Sequence, residues 1–402
     1  MVTLDRILVE NFKNIESASV DFGELNVIVG ENGSGKSNFL MVLSFLRTIL
    51  LGSPAAVEDL LRRGLSIKFG SLPPSRGMSD LDCRIALSFS DRKSSYKYAY
   101  EIRLGSIESF KFGIKYESFE FKKSSAKGTA VQFFTRNAGK IKFNNTLGSL
   151  LPLVDLKENY SVFKVLEIFE ESLEHKFKDS ISAIKSLLST QTYYLSVSSL
   201  KSSALISEAT KVIEDRVVNY DVEAALIKLS EDAEKWNYFN EIVRSVINLD
   251  RVEIRRANSD DEERKWLSYI YKGKNNILLE LSDGMILVIG LLLKIFTCDH
   301  SVVFLEEPEN SIHPKALQNL MGFLRSASDG HQFVITSHSA TLLNFVRPEE
   351  VFVATMNSKG MTNISAVKNV KELKQKLSKD FMSFGEMIFE TTSHNDEFEE
   401  IL

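Results

Sequence analysis

Hydrophobic and polar positions alternate in three short runs near the start of the chain, around Leu4–Val9, Ala18–Phe22 and Leu25–Val29. A period of two sends successive side chains to opposite faces, so these runs predict strands, with Gly23-Glu24 as a turn between the last two. From Ser37 to Leu51 the period lengthens, and Leu40, Val42, Leu43, Phe45, Leu46 and Leu50 fall at helical spacing. Alternation returns between Ile67 and about Phe121, as in Tyr96-Lys-Tyr-Ala-Tyr-Glu-Ile102, and predicts an antiparallel sheet with polar turns. Near Leu150 the pattern changes again. From Val154 to Leu249 it is helical, as in Phe163, Val165, Leu166, Ile168, Phe169 and Leu173, with Lys and Glu interleaved. No heptad is sustained long enough for an extended coiled coil, so a compact helical insertion is expected. Strand patterns recur at Val252–Arg256 and Trp266–Tyr271. After Leu281 the order is helix, strand, helix, strand, helix, which suits a parallel sheet covered by helices. From Thr391 the chain is polar and acidic and is expected to be loosely ordered.

The 402 residues suffice for two or three lobes and a large core. A hydrophobic content of 44% with 26% charged residues describes an ordinary soluble protein. The net charge of −5 argues against wrapping nucleic acid over the whole surface, although a local basic groove stays open. Cys83 and Cys298 stand far apart, so neither a disulfide framework nor a cysteine metal site is implied. The N-terminus lacks the basic-then-apolar order of a signal peptide. The most apolar stretch, Met285 to Phe296, is too short to span a bilayer. A cytoplasmic location without membrane association is expected.

The chemistry is concentrated at four places. Gly30-Glu31-Asn32-Gly33-Ser34-Gly35-Lys36-Ser37-Asn38 follows the apolar run Leu25–Val29 and opens the helix, the setting that a phosphate-binding loop requires. The glycines let successive N–H groups turn inward, Lys36 would reach the β- and γ-phosphates, and the Ser37 hydroxyl would hold Mg²⁺. ATP and Mg²⁺ are therefore the expected ligands. The buried run Val302–Leu305 ends in Glu306 and Glu307. In that pair Glu306 takes the metal-supporting place and Glu307 the place that polarises the attacking water. Gln332–Thr336 is a further strand, and His338 just beyond its end is placed to contact a γ-phosphate. Ser282, Asp283 and Gly284 open an apolar helix and read by themselves as an ordinary helix start.

Together these residues resemble the ABC-type ATPase heads of the RecF/SMC class. They look most like the bacterial AAA-family, OLD-related ATPases of phage-defence systems. Asn11-Phe12-Lys13-Asn14 resembles the family's opening motif, residues 30–38 its Walker A and Leu281–Gly284 its signature. Glu306-Glu307 resembles Walker B, Asn310–Pro314 the dimer-contacting D-loop, and His338 the switch histidine. The resemblance implies an α/β P-loop NTPase of ABC-ATPase type with an antiparallel β lobe and a helical insertion. Its expected division is an N-terminal ATPase lobe over 1–150, the insertion over 151–250, a C-terminal ATPase lobe over 251–390 and an acidic tail over 391–402. It further implies that ATP is sandwiched between two copies, with Ser282, Asp283 and Gly284 acting in trans, in a homodimer or higher homo-oligomer. Two departures stand out. No Gln precedes Gln132, so the glutamine that follows Walker A in the family has no counterpart. The residues after His338 do not resemble a TOPRIM nuclease domain.

The expected function is a slow regulatory ATPase of an anti-phage module, acting with a separate effector, a nuclease or toxin. The alternative is a DNA-binding ATPase of repair or chromosome maintenance, with Arg62-Arg63, Lys122-Lys123 and Arg251, Arg255 and Arg256 as candidate phosphate contacts. A transporter subunit fits poorly, given the missing Gln and an insertion of this size. A metabolic enzyme lacks a second set of substrate-binding residues.

Overall fold

The computed structural model describes residues 2–69, 82–108, 111–137, 139–144, 147, 156–157, 159–189, 192–193, 222–259, 262–277, 280–297, 302–327, 330–367, 370 and 383–393. The strands are β1 Val2–Phe12, β2 Ile15–Asp21, β3 Leu25–Val29, β4 Cys83–Asp91, β5 Tyr96–Glu108, β6 Lys111–Lys123, β7 Val131–Asn137 and β8 Lys140–Phe143. They continue with β9 Thr192–Tyr193, β10 Arg251–Ser259, β11 Glu262–Tyr271, β12 Lys274–Ile277, β13 Val302–Glu306, β14 Gln332–Ser337, β15 Val351–Met356 and β16 Thr362–Ala366.

Thirteen of these form one sheet in the order β8-β7-β6-β5-β4-β1-β2-β16-β15-β3-β14-β13-β9, and β10, β11 and β12 form a second. The long meander from β4 to β8 is antiparallel, whereas β15, β3, β14, β13 and β9 run parallel. The join between the two halves is the parallel pairing of β2 with β16. The parallel strands are buried on both faces and therefore read as continuous apolar runs. Along β13, Val302 and Phe304 enter one core while Val303 and Leu305 enter the other. Val334 of β14 and Ile28 of β3 face the first core, and Phe333, Ile335, Val27 and Val29 the second.

Helix α1, Lys36–Leu51, fills the first core through Phe39, Leu40, Leu43, Leu46 and Leu50. Helix α2, Pro54–Phe69, corrects the expectation of strand from Ile67, and the antiparallel sheet begins at Cys83 and runs on to Phe143. Its start is set locally: Ser53 Oγ accepts from Ala56 N–H, Pro54 holds a helical φ, and Val57 and Leu61 are buried one turn apart.

The described helices within 151–250 are shared between the two cores. Helices α3, Phe163–Phe169, and α4, His175–Leu188, pack on the first core through Phe163, Leu166, Phe177, Ile181, Ile184 and Leu188. Helices α5, Val222–Leu229, and α6, Ala233–Ile247, join the second with α7, Asp283–Thr297, α8, Pro314–Ser326, and α10, Phe384–Ser393. The short α9, Ala340–Leu343, follows β14. Of the acidic tail, residues 394–402 lie outside the described residues, as do the side chains of Arg62, Arg63 and Arg256 and residues 70–81. No helix among the described residues is long and apolar enough to cross a membrane.

A buried polar cluster ties α3 to the antiparallel strands. Glu117 of β6, wholly buried, accepts from Tyr100 OH at 3.1 Å, Ser161 Oγ at 2.5 Å and Val162 N–H at 3.0 Å. Arg136, equally buried, donates to the Tyr160 and Lys157 carbonyls. Burial pushes the Glu117 carboxyl up, and the Ser161 and Val162 hydrogen bonds oppose it.

Candidate nucleotide-binding site

The parallel strands end at one level. Val29 pairs with Ser337, and Glu306 pairs with Thr336, so the ends of β3, β14 and β13 line one edge of the sheet. The carboxyl edge of parallel strands is where α/β folds place their ligands. β14 lies between the strand that carries the phosphate loop and the strand that carries the glutamates.

Within the loop, Gly33 and Gly35 have φ of +82° and +83°, a region that disfavours any side chain. Gly35 is also hemmed in, because a Cβ there would lie 2.9 Å from both Asn14 Oδ1 and Thr362 Oγ1. Asn14 holds this corner: its amide donates to Thr362 Oγ1 at 3.1 Å and accepts from Asn38 Nδ2 at 2.8 Å, while its carbonyl accepts from Thr362 N–H at 2.7 Å. Gly30 lies directly against the Ala354 carbonyl of β15. The first-hairpin turn and β15–β16 therefore brace the loop from two sides.

Lys36 is 5% exposed, and its ammonium donates to the Gly30 and Glu31 carbonyls at 2.8 Å each. Burial lowers its pKa from the ordinary lysine value, and the carboxylates of Glu307, Glu309, Glu306 and Glu31 pull it back up. Ser37 Oγ donates to Glu306 Oε1, joining the first turn of α1 to the end of β13. A Ser hydroxyl and one carboxylate suit Mg²⁺, which keeps several waters and takes few protein ligands beside phosphate oxygens.

Glu307 stands at φ +46°, in the left-handed region, with its N–H donated to the Thr336 carbonyl at 2.9 Å. A non-glycine residue is held there only by its surroundings, at a cost of roughly 1–3 kcal/mol. Asn310 supplies part of that hold through Nδ2 to Glu307 Oε2 at 3.1 Å and N–H to the Glu307 carbonyl at 3.2 Å. His338 Nδ1 lies 3.3 Å from Glu307 Oε1 and 4.0 Å from Glu309 Oε1.

Glu309 is the residue that sequence reasoning missed. Its side chain is only 6% exposed, and Oε1 accepts from Ser337 Oγ at 2.5 Å and from His338 N–H at 3.3 Å. Oε2 is buried without a hydrogen-bond partner. Burial raises this carboxyl, against the lowering effect of the Ser337 hydroxyl and neighbouring amides. Its signal in the sequence was a third carboxylate three places after Glu306, beyond a proline.

Lys36, Ser37, Glu306, Glu307 and His338 thus meet at one edge. Ser282, Asp283 and Gly284 are placed differently. Ser282 and Asp283 are exposed, and the atoms nearest a Cβ on Gly284 belong to Ser311 and Ile312. The close approach that Gly284 permits is therefore to the turn after Glu307 in its own chain.

The family described as "AAA domain, putative AbiEii toxin, Type IV TA system" matches residues 183–344, and that described as "AAA ATPase domain" matches residues 3–53. The DNA replication and repair protein RecF of Psychromonas ingrahamii is 46% identical over 46 residues, 11% of this chain and 13% of that protein. The DNA double-strand break repair Rad50 ATPase of Saccharolobus solfataricus is 41% identical over 64 residues, 15% of this chain and 7% of that one. The chain therefore spans a small part of the length of these relatives. An SMC head solved with the C-winged helix domain of ScpA superposes over 92% of this chain and 99% of that one, with a TM-score of 0.52 at 12% identity, a likeness of fold. In fold the chain is similar to that SMC head, and its phosphate loop and glutamate strand lie within the segments matched by the two AAA families.

Proposed function

We propose that the chain is a slow regulatory ATPase of a bacterial anti-phage defence module, closing as a homodimer on ATP and passing its state to a separate nuclease or toxin. The observation that carries the nucleotide chemistry is the meeting of Lys36, the Ser37–Glu306 pair, Glu307 and His338 at one sheet edge. Lys36 would leave the carbonyls of Gly30 and Glu31 for the phosphates, joined by the loop N–H groups and the N-terminus of α1. Ser37 and Glu306 would hold Mg²⁺, which neutralises phosphate charge when bound. Glu307 is the general base for the attacking water, and His338 contacts the γ-phosphate. Ser282, Asp283 and Gly284 complete the site of a second copy, consistent with the exposure of the first two. The defence setting is supported by the description of the family matching residues 183–344.

In Glu307→Gln, ATP binding should survive while turnover falls by about 10²-fold or more, and light scattering should show a two-head species that forms only with ATP. Lys36→Ala should lose ATP binding. Failure of Glu307→Gln to dimerise with ATP would remove the sandwich, and co-purification with the products of neighbouring genes tests the effector.

The relatives RecF and Rad50 favour a second reading, a DNA-binding ATPase of repair. Lys122 and Lys123 would supply phosphate contacts, whereas Arg251 and Arg255 are partly neutralised by Glu253. ATPase activity stimulated by duplex DNA, with salt-sensitive binding, would select this reading.

A further inference from the structure

We propose that Glu309 is a positioning residue of the hydrolytic site, whose buried carboxyl locks the Ser337–His338 corner to the turn carrying Glu307 and so sets the imidazole against that glutamate. The inference rests on the ATPase reading above and extends it to a residue outside Walker B and the switch histidine.

Three observations converge. Oε1 of Glu309 takes both donors at the corner, the Ser337 hydroxyl at 2.5 Å and the His338 N–H at 3.3 Å. The Ser337 hydroxyl also accepts from Ser339 N–H at 3.0 Å, and Ser339 Oγ accepts from Leu342 N–H at the start of α9. The carboxyl therefore fixes the backbone on which His338 leaves β14. Secondly, Glu307 and Glu309 share the Pro308 turn, and both direct an oxygen at His338 Nδ1. Two carboxylate oxygens on the Nδ1 side of the ring favour the Nδ1–H tautomer, with Nε2 left for the opposite side. Thirdly, a buried carboxyl with an unpartnered oxygen is expensive to keep and would not be retained for packing alone. An alanine at 309 would take the acceptor from the buried Ser337 hydroxyl and from the His338 N–H. A glutamine preserves the acceptor oxygen.

The test uses the full chain with Glu309→Ala, Glu309→Gln and Ser337→Ala. Glu309→Ala should lower kcat about tenfold or more, with the Kd for ATP within about twofold of wild type. Glu309→Gln should restore kcat to within about threefold, and Ser337→Ala should fall between them. A readout independent of turnover is the His338 tautomer by long-range ¹H–¹⁵N correlation: Nδ1–H in the wild type and Glu309→Gln, and a mixture in Glu309→Ala. An unchanged kcat and tautomer in Glu309→Ala would overturn the proposal, as would parallel loss of ATP affinity in all three variants. A misfolded Glu309→Ala leaves the decision to Glu309→Gln and Ser337→Ala, and equal wild-type behaviour in Ser337→Ala would then overturn it. If the wild type itself turns over no ATP, the ATPase reading fails, while the tautomer comparison still decides on Glu309.

Discussion

The hydroxyl of Ser37 donates to Oε1 of Glu306 across 269 positions of chain, and this one bond sets the first turn of α1 against the end of β13. Removing either partner should separate metal dependence from nucleotide affinity. Ser37→Ala and Glu306→Ala are each expected to raise the Mg²⁺ concentration needed for half-maximal turnover by about tenfold, roughly 1.4 kcal/mol. Metal-free nucleotide binding should change little. A Mg²⁺ titration of ATPase activity, paired with ATP binding in EDTA, checks this.

Gly284 makes a prediction about the single chain. A methyl group there would collide with the Ser311 carbonyl, backbone that can yield only by moving the turn after Glu307. Gly284→Ala should therefore destabilise the nucleotide-free monomer by about 1–3 kcal/mol, the range for overpacking. Thermal unfolding without nucleotide measures it. An unchanged melting temperature, with only ATP-driven dimerisation lost, would give the glycine to the nucleotide instead.

Glu117 should matter for folding and not for nucleotide. Glu117→Ala leaves the Tyr100 and Ser161 hydroxyls and the Val162 N–H without their acceptor and removes the carboxyl that faces the charge of buried Arg136, at a cost of about 3–5 kcal/mol. Urea denaturation is the measurement, and Glu117→Gln should cost less, since it keeps an acceptor.

Glu309 contributes a pH dependence of stability whose sign follows from its burial. Burial raises its folded-state pKa above the ordinary value of 4.5, so its protonated form is favoured in the fold. Its contribution is fully present below pH 4.5 and is lost as pH rises through the folded value. Glu309→Gln, neutral at every pH, should match the wild type near pH 4.5 and melt above it at higher pH. The difference should grow until the wild-type carboxyl is fully ionised. Equal curves from pH 4.5 to 8 would contradict the raised value.

The nucleotide loop was legible because its chemistry is local: strand, glycines, Lys36 and helix lie within one short stretch, and α1 begins at Lys36. Glu306, Glu307 and His338 were legible for the same reason, the glutamates following the apolar run Val302–Leu305 and His338 the buried strand Gln332–Ser337. Glu309 was not, because its partners Ser337 and His338 lie on the neighbouring strand, 28 and 29 positions on. Gly284 reads in the sequence as part of an ordinary helix start, and the Ser311 carbonyl that it approaches comes from a distant turn. Likewise α4 has the amphipathic pattern of any surface helix, and nothing in its own period says that Phe177 and Ile184 enter the same core as α1. The pairing of β2 with β16 is set by contacts across most of the chain, so the fusion of the two strand-rich halves has no local signature.

That fusion has a mechanical consequence. The strands pair in succession from β8 to β9, with one register irregularity at the β2–β16 join, so the antiparallel and parallel halves are expected to move as one plate. Fluorophores on β5 and β14 should keep their separation when ATP is added, and can serve as a fixed ruler. Movement linked to ATP is then expected in the helices and turns carried on the plate, foremost the turn linking Glu307 to the start of α7 through Ser311.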